Sequence, residues 1–310
     1  MKSDLGIQYC LKMLWWALIF FPYLTTCENV TNKEEMLQYL FRYGYVENNN
    51  SLTDFESTMI SFQEKYNLPI DGTLNSDTLS LIQRPRYVIA ENAFTIQGKW
   101  NKTYIKWSFP RASAKMLFDA EKAFSLWEDI SNLKFKYVRL TNTEKPDITI
   151  SVVKRRHSFR RDCMGNGMCQ SEFDGPGRIL AHAYPPSNDA CSEIHLDKDE
   201  SWDVDGNGGT NFLMTLTHEI GHVLGLGHRS QETSIMFPWY QQKTIQLGRD
   251  DEYAITSLYG QRNTTAVKTT QRSTSSKKTS TTNTPQITKK TSATNTPQIT
   301  KKTSNTLSLK

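Results

Sequence analysis

The chain has six histidines in 310 residues, and three of them fall in one eleven-residue stretch, His218-Glu219-Ile220-Gly221-His222-Val223-Leu224-Gly225-Leu226-Gly227-His228. No other feature constrains the fold as much. Histidines four apart on a helix project from the same side, so His218 and His222 can share one metal ion. Glu219 lies beside them, within reach of a water on that metal. Gly225 lets the chain leave the helix and turn, which brings His228 round as a third nitrogen ligand. Three protein ligands leave a fourth position open, the arrangement of a catalytic zinc. Zinc so held lowers the pKa of a bound water towards about 7 and polarises a carbonyl. Glu219 is then placed to take the water proton and pass it to a leaving amine. Downstream, Ser234-Ile235-Met236-Phe237-Pro238 reads as a tight turn that sets Met236 under the metal.

The other three histidines, His157, His182 and His195, follow or sit within strand-like stretches. The split into two groups of three, with no histidine elsewhere, points to a second zinc site. Acidic and glycine-rich pieces interleave with it, at 173–177 and 195–200, and carboxylates with loop carbonyls suit calcium. Asp203-Val204-Asp205-Gly206-Asn207-Gly208 opens like an EF-hand loop, but the twelfth position is Met214 and not Glu, so it is read as a polar loop.

Periodicity supplies the frame. Residues 34–44 and 55–67 read as amphipathic helices, and Asn75 or Ser76 caps a third. Helices are expected at 115–130, 212–224 and 250–258, and strands at 147–153 and 178–184. At the N-terminus the apolar run 13–23 is too short to span a membrane, which takes about 20 residues, and reads as a secretory signal. Four N-x-S/T sequons, at Asn29, Asn49, Asn101 and Asn263, fit that route. After Gly260 the composition changes: 23 of the last 50 residues are Ser or Thr, and TNTPQITKKTS occurs at 282–292 and again at 294–304. Such a segment has little to bury and is expected to be disordered. It holds ten of the 37 Lys and Arg and none of the 32 Asp and Glu, so the net charge of +5 belongs to the tail. The rest of the chain is mildly acidic. This argues against nucleic acid as a partner and leaves the tail to acidic surfaces or polysaccharide.

With these residues in place, the chain resembles the matrix metalloproteinase family of the metzincin clan, in its minimal, matrilysin-like layout without a hemopexin-like domain. The likeness spans about 34–260 and includes HEIGHVLGLGH at 218–228, FDGPG at 173–177, AHAY at 181–184, HLDKDESW at 195–202, GTN at 209–211 and DDEYAITSLYG at 250–260. It implies an α+β fold: a catalytic domain with a five-stranded mixed sheet and three helices, preceded by a small three-helix propeptide. The chain would divide into a signal peptide (1–27), a propeptide with peptidoglycan-binding-like helices (28–93), a catalytic domain (94–260) and the tail (261–310). The resemblance implies a secreted, monomeric zinc endopeptidase without a membrane span, acting on extracellular or matrix-type proteins. His157, His182 and His195 would bind structural zinc. Asp174, Asp197 and Glu200, with the carbonyls of Gly175, Gly177 and Ile179, would bind calcium. Leu180 and Ala181 would pair with an extended peptide substrate. Met214, Pro238 and Tyr240 would line the pocket for the side chain after the scissile bond, which favours Leu, Ile or Met.

Three departures from the family pattern stand out. The latency motif PRCGVPD reads Pro85-Arg86-Tyr87-Val88-Ile89-Ala90-Glu91 here, so a phenol replaces the switch thiol. A phenol is a poor zinc ligand near neutral pH, with a pKa of about 10 against about 8.5. Thiol-based latency is therefore expected to be weak or absent, with steric shielding left to the propeptide. The aspartate expected two residues after His157 is Phe159; either Asp162 replaces it across an insertion or the fourth ligand differs. An insertion carries Cys163 and Cys169, for which a local disulfide is expected, leaving Cys191 unpaired. Glu193 stands where a second calcium site usually has aspartate. A non-catalytic relative that binds protein or polysaccharide is the rival reading, disfavoured by the intact Glu219 and histidine triad. Another metzincin family is disfavoured by Arg229, where Asp or Glu is typical.

Overall fold

A computed structural model describes residues 30–46, 55–87, 98–141, 144–159, 167–169, 171–186 and 191–262. The expected signal peptide, nearly all of the tail, Asp162, Cys163 and the sequons at Asn29, Asn49 and Asn263 lie outside the described residues. The chain divides into two units, Met1–Thr264 and Thr265–Lys310.

Three helices come first: α1 (Lys33–Arg42), α2 (Phe55–Lys65) and α3 (Ser76–Ile82). Their starts are chemical. Asn32 accepts from the Glu35 amide and Asn75 from the Thr78 amide, satisfying donors that the first helical turn leaves over. Gln63, fully buried, fixes the turn before α3 by accepting from the amides of Asp71 and Gly72 at 3.0 Å each. The apolar faces meet in a core of Met36, Leu40, Met59, Phe62 and Ile82, joined by Phe237 and Trp239 from the far end of the sequence. Trp239 stacks edge-on against Tyr66 with ring centroids 4.6 Å apart.

A mixed sheet follows, built from β1 (Tyr104–Ser108), β2 (Lys134–Tyr137), β3 (Ile148–Val153), β4 (Ala181–Tyr184) and β5 (Ser192–Asp197) in the order β2-β1-β3-β5-β4. All neighbours are parallel except β4, which runs antiparallel to β5 at the edge. A small pair, β6 (Trp202–Asp203) and β7 (Thr210–Asn211), precedes the helix of the histidine motif. α4 (Ala114–Ile130) and α5 (Phe212–Val223) pack together, with the Trp127 indole donating to the Thr217 carbonyl at 3.0 Å. α6 (Arg249–Tyr259) closes the domain, and its Tyr259 hydroxyl donates to the Leu224 carbonyl at the end of α5. The sheet and helices are thus those expected, five strands and three helices after the N-terminal three.

The polar loop at 203–208 is self-contained. One Asp203 carboxylate oxygen accepts from the amides of Asp205, Gly206 and Asn207, and these hold its pKa below the usual carboxylate range.

Candidate active site

The α5 helix begins at Asn211, whose side chain accepts from the Met214 amide. It ends in a Schellman turn: the Gly225 amide bonds to the His222 carbonyl at 2.9 Å and the Leu226 amide to Gly221 at 3.0 Å. Gly225 takes φ +95°, which L side chains rarely adopt. The turn folds the chain back so that His228 joins His218 and His222, with donor atoms of all three within 4.8 Å. All three rings are buried. The turn also sets a tautomer, because the Leu226 carbonyl meets His222 Nδ1 at 2.8 Å. His218 Nδ1 meets the Ile235 carbonyl at 2.7 Å. With each Nδ1 bonded to a carbonyl, the Nε2 atoms of His218 and His222 turn toward each other, 2.9 Å apart. Burial, then the neighbouring His222 and His228, keeps the His218 pKa well below its ordinary value. Three buried imidazoles with converging nitrogens are the donor set of a zinc site.

Glu219 is fully buried beside them, and neither carboxylate oxygen has a hydrogen-bond partner among the described residues. Burial raises its pKa well above the carboxylate range. Unpaired buried carboxylates are costly, so one here indicates a group held ready for an exogenous partner.

Met236 is buried directly under this helix. A Cβ at Gly221 would lie 2.3 Å from Met236 Sδ, so only glycine fits between His218 and His222 at that contact. The turn that carries Met236 is held by Asp251 of α6, which is fully buried and accepts from the Ser234 hydroxyl, the Ile235 amide at 2.8 Å and the Gly248 amide at 2.7 Å. Asp251 thereby positions the Ile235 carbonyl that orients His218. Sequence reasoning passed over it, because nothing local marks this acid among its neighbours Asp250 and Glu252.

The cleft in front of the histidines is filled by the chain itself. The segment Pro85-Arg86-Tyr87 runs extended between residues 178–180, at the entry to β4, and residues 238–240. Arg86 donates its amide to the Arg178 carbonyl at 2.8 Å and its carbonyl accepts from Leu180 at 3.2 Å. Tyr87 donates to Pro238 at 2.9 Å, and Tyr240 donates to Pro85 at 2.8 Å. The Arg86 guanidinium is buried 3.7 Å from the Tyr43 ring centroid and donates to the Tyr39 hydroxyl. Tyr87 lies flat on His218, with centroids 3.8 Å apart and planes at 24°. Burial, with the nearby Glu219 charge, pushes its phenol pKa far above the ordinary value. Leu180 bonds to Arg86 at this edge, and Ala181 opens β4. Pro238 and Tyr240 form the opposite wall, and Met214 is buried in the core behind them.

His182 and His195 face each other directly across β4 and β5, and His157 arrives from the loop after β3. Inward nitrogens of the three lie 3.0 to 3.3 Å apart. Among the described residues a cysteine joins them: Cys169 Sγ lies 3.2 Å from His182 Nε2, and all four donor atoms fall within 4.8 Å, while Asp162 lies outside those residues. This corrects the expected disulfide pattern. Cys169 is a free, buried thiol and Cys191 is the disulfide-bonded one. The reason is the inward pull of the imidazoles. Burial opposes ionisation of the thiol, yet hydrogen bonds from the three rings bring its pKa down to about 3. Glu193, read as a remnant of a calcium site, instead has its carboxylate 2.9 Å from His195 Nε2 with both groups buried.

Asp174, Asp197 and Glu200 lie close enough to affect one another. Burial first, then the neighbouring acids, raises the pKa of Asp197 and of Glu200. Asp197 is fully buried, and its Oδ2 has no hydrogen-bond partner among the described residues. Asp174 accepts from the Ile179 amide, and Glu200 from the Gly177 amide. Crowded carboxylates with a buried unpaired oxygen fit a divalent cation, although their oxygens do not converge as the two histidine clusters do.

A mixed sheet with an antiparallel edge strand, a histidine-bearing helix and a methionine turn beneath it define a metallopeptidase catalytic domain. Residues 99–260 match the Matrixin family model, peptidase M10. The chain belongs to the matrix metalloproteinase family, whose members use catalytic zinc and calcium. It is 32% identical to human matrilysin over 248 residues, covering 76% of this chain and 88% of that protein. It is 31% identical to matrix metalloproteinase-2 of Drosophila melanogaster over 274 residues, covering 76% and 34%. It is likewise 31% identical to matrix metalloproteinase-19 of Mus musculus over 256 residues, covering 75% and 45%. The chain thus spans a third to a half of the latter two relatives. No helix among the described residues is long and apolar enough to cross a membrane.

Proposed function

We propose that the chain is a secreted, zinc-dependent endopeptidase that hydrolyses peptide bonds in extended segments of extracellular or matrix-type proteins. The carrying observation is Glu219, buried with both oxygens unpaired beside three converging imidazoles. His218, His222 and His228 would hold the zinc, which when bound supplies Lewis acidity to water and to the scissile carbonyl. Glu219 takes the proton from the attacking water and delivers it to the leaving amine. The edge at Leu180 and Ala181 and the wall at Pro238 and Tyr240 bind the substrate backbone; Leu180, Pro238 and Tyr240 already bond to Pro85–Tyr87. Met214 borders the pocket for an apolar residue after the cleaved bond. Asp174, Asp197 and Glu200, with carbonyls of Gly175, Gly177 and Ile179, would hold calcium.

On this reading residues 28–93 act as a propeptide that withholds the cleft by filling it. Tyr87 blocks by stacking on His218 and not by ligation. Residues 1–27 direct secretion, and the basic tail from 261 onward tethers the enzyme to acidic surfaces or polysaccharide. Glu219→Ala tests the catalytic role. Cleavage of a peptide reporter by the processed form is expected to fall about 10²- to 10⁴-fold while zinc content is unchanged. Undiminished cleavage by the variant would overturn the assignment.

A further inference from the structure

The second histidine cluster differs from the site that the resemblance implied. We propose that Cys169 is a zinc ligand: its thiolate completes a closed site of three histidines and one cysteine with His157, His182 and His195. The inference rests on the metallopeptidase reading, and it assigns a ligand that reading did not supply.

The arrangement of ring nitrogens fits a cation there. His157 Nδ1 lies 2.7 Å from the Arg155 carbonyl, so it carries the proton and leaves Nε2 bare. His195 Nε2 lies 2.9 Å from the Glu193 carboxylate, so it carries the proton and leaves Nδ1 bare. These two bare nitrogens face each other at 3.0 Å inside the protein. Two lone pairs at that distance repel, and one proton on His182 Nε2 cannot satisfy both nitrogens and the sulfur. A tetrahedral zinc with Zn–N of about 2.0–2.1 Å places its nitrogens about 3.3–3.4 Å apart. The observed edges, 3.0 to 3.3 Å, are close to that spacing. The thiolate and the Glu193 carboxylate together also balance the two charges of the ion.

The surroundings close the site. Phe159, standing where the aspartate was expected, packs edge-on against Tyr184 at 4.6 Å between centroids and leans on the His195 ring. The Tyr184 hydroxyl lies 2.8 Å from Cys169 Sγ, where it would donate to a metal-bound thiolate and steady it. Phe173 stacks on His157 and His182 from the other side. The backbone brings the two ends of the insertion together, with the Cys169 amide bonded to the His157 carbonyl and a bridge between Ser158 and Met168. No position is left open for water, so the site is structural.

The test is X-ray absorption and metal analysis of the full chain, with cobalt substitution. The expected result is two zinc ions per chain, one per cluster, and a sulfur scatterer at about 2.3 Å from zinc. The cobalt-loaded protein should show a thiolate-to-cobalt charge-transfer band that Cys169→Ser removes, that Cys169→Asp does not restore, and that His218→Ala leaves in place. Zinc should fall to one per chain in Cys169→Ser and return towards two in Cys169→Asp. Two zincs with only nitrogen and oxygen scatterers in the unaltered chain would overturn the ligand assignment while leaving the peptidase reading intact. A folded chain that binds no zinc at all would instead overturn that reading. The scattering result on the unaltered chain decides the matter even if the variants fail to fold.

Discussion

Gly221 sits between His218 and His222 in the motif, and its absent side chain is what lets the helix settle on Met236. The space a methyl group would need is already held by Met236 Sδ and Cε and by the Trp127 ring. Gly221→Ala should therefore destabilise the fold by about 1–3 kcal/mol, as overpacking of a tight core does. Thermal denaturation of the zinc-loaded chain checks this, and an unchanged midpoint would mean that the turn can yield. At this scale the catalytic motif was legible because all its members lie within eleven residues and one helical turn relates the first pair. Cys169 was not legible. Its partners come from positions 157, 182 and 195, and the spacing to Cys163 suggested a disulfide more readily than a ligand set assembled across two strands and a loop. Glu193 was read as the remnant of a calcium site whose glycines are missing; it lies two residues before His195 on β5, on the same face of the strand, and its carboxylate meets that ring.

Among the elements, the methionine turn and α6 form one unit through Asp251. Its carboxylate gathers the Ser234 hydroxyl and the amides of Ile235 and Gly248 in a site closed to water. Removing it leaves buried donors unpaired, at about 1–3 kcal/mol each. Asp251→Ala should thus lower the thermal midpoint strongly, and it should weaken zinc retention under mild chelation because the Ile235 carbonyl no longer orients His218. Ser234→Ala, which removes one of these bonds, should do both to a smaller degree. Equal zinc retention in all three proteins would dissociate the turn from the metal site. The helices themselves were readable from apolar spacing and, for α3, from the cap at Asn75; the caps at Asn211 and Ser113 emerge only in the structure. The short strands β1, β2, β6 and β7 carry no comparable local signal; β2, Lys134–Tyr137, has only half-buried alternation.

For the whole molecule, two couplings follow from what is packed together. The first joins calcium to pH. Asp197 and Glu200 have raised pKa values in the ion-free fold, so they hold protons more tightly folded than unfolded. Their protonated forms favour the fold at pH below the unfolded values of about 3.9 and 4.3, and that support is lost as pH rises through the folded values. Calcium replaces the missing protons. The gain in thermal midpoint on adding calcium should be large near neutral pH and small in mild acid; a gain independent of pH would remove these acids from the calcium site. The second coupling joins the N-terminal helices to the cleft through Phe237 and Trp239, which belong to the helical core while flanking Pro238 of the substrate wall. That arrangement needs no thiol. Sequence spacing revealed the lost cysteine at Tyr87 but not what replaced it, because the replacement is a set of backbone bonds between residues 85–87 and segments about 90 and 150 positions away.

The measurement that tests the account most directly is N-terminal sequencing of the secreted protein during its conversion, coupled to a zinc-dependent peptide-cleavage assay with and without a thiol reagent. Chain retaining Pro85–Tyr87 is expected to cleave nothing and to stay inactive in the thiol reagent. Cleavage is expected to appear when the N-terminus moves past Tyr87, to be abolished by chelation, and to return with zinc. A folded, zinc-loaded form trimmed past Tyr87 that cleaves no peptide, or cleavage that survives removal of the metal, would contradict the account.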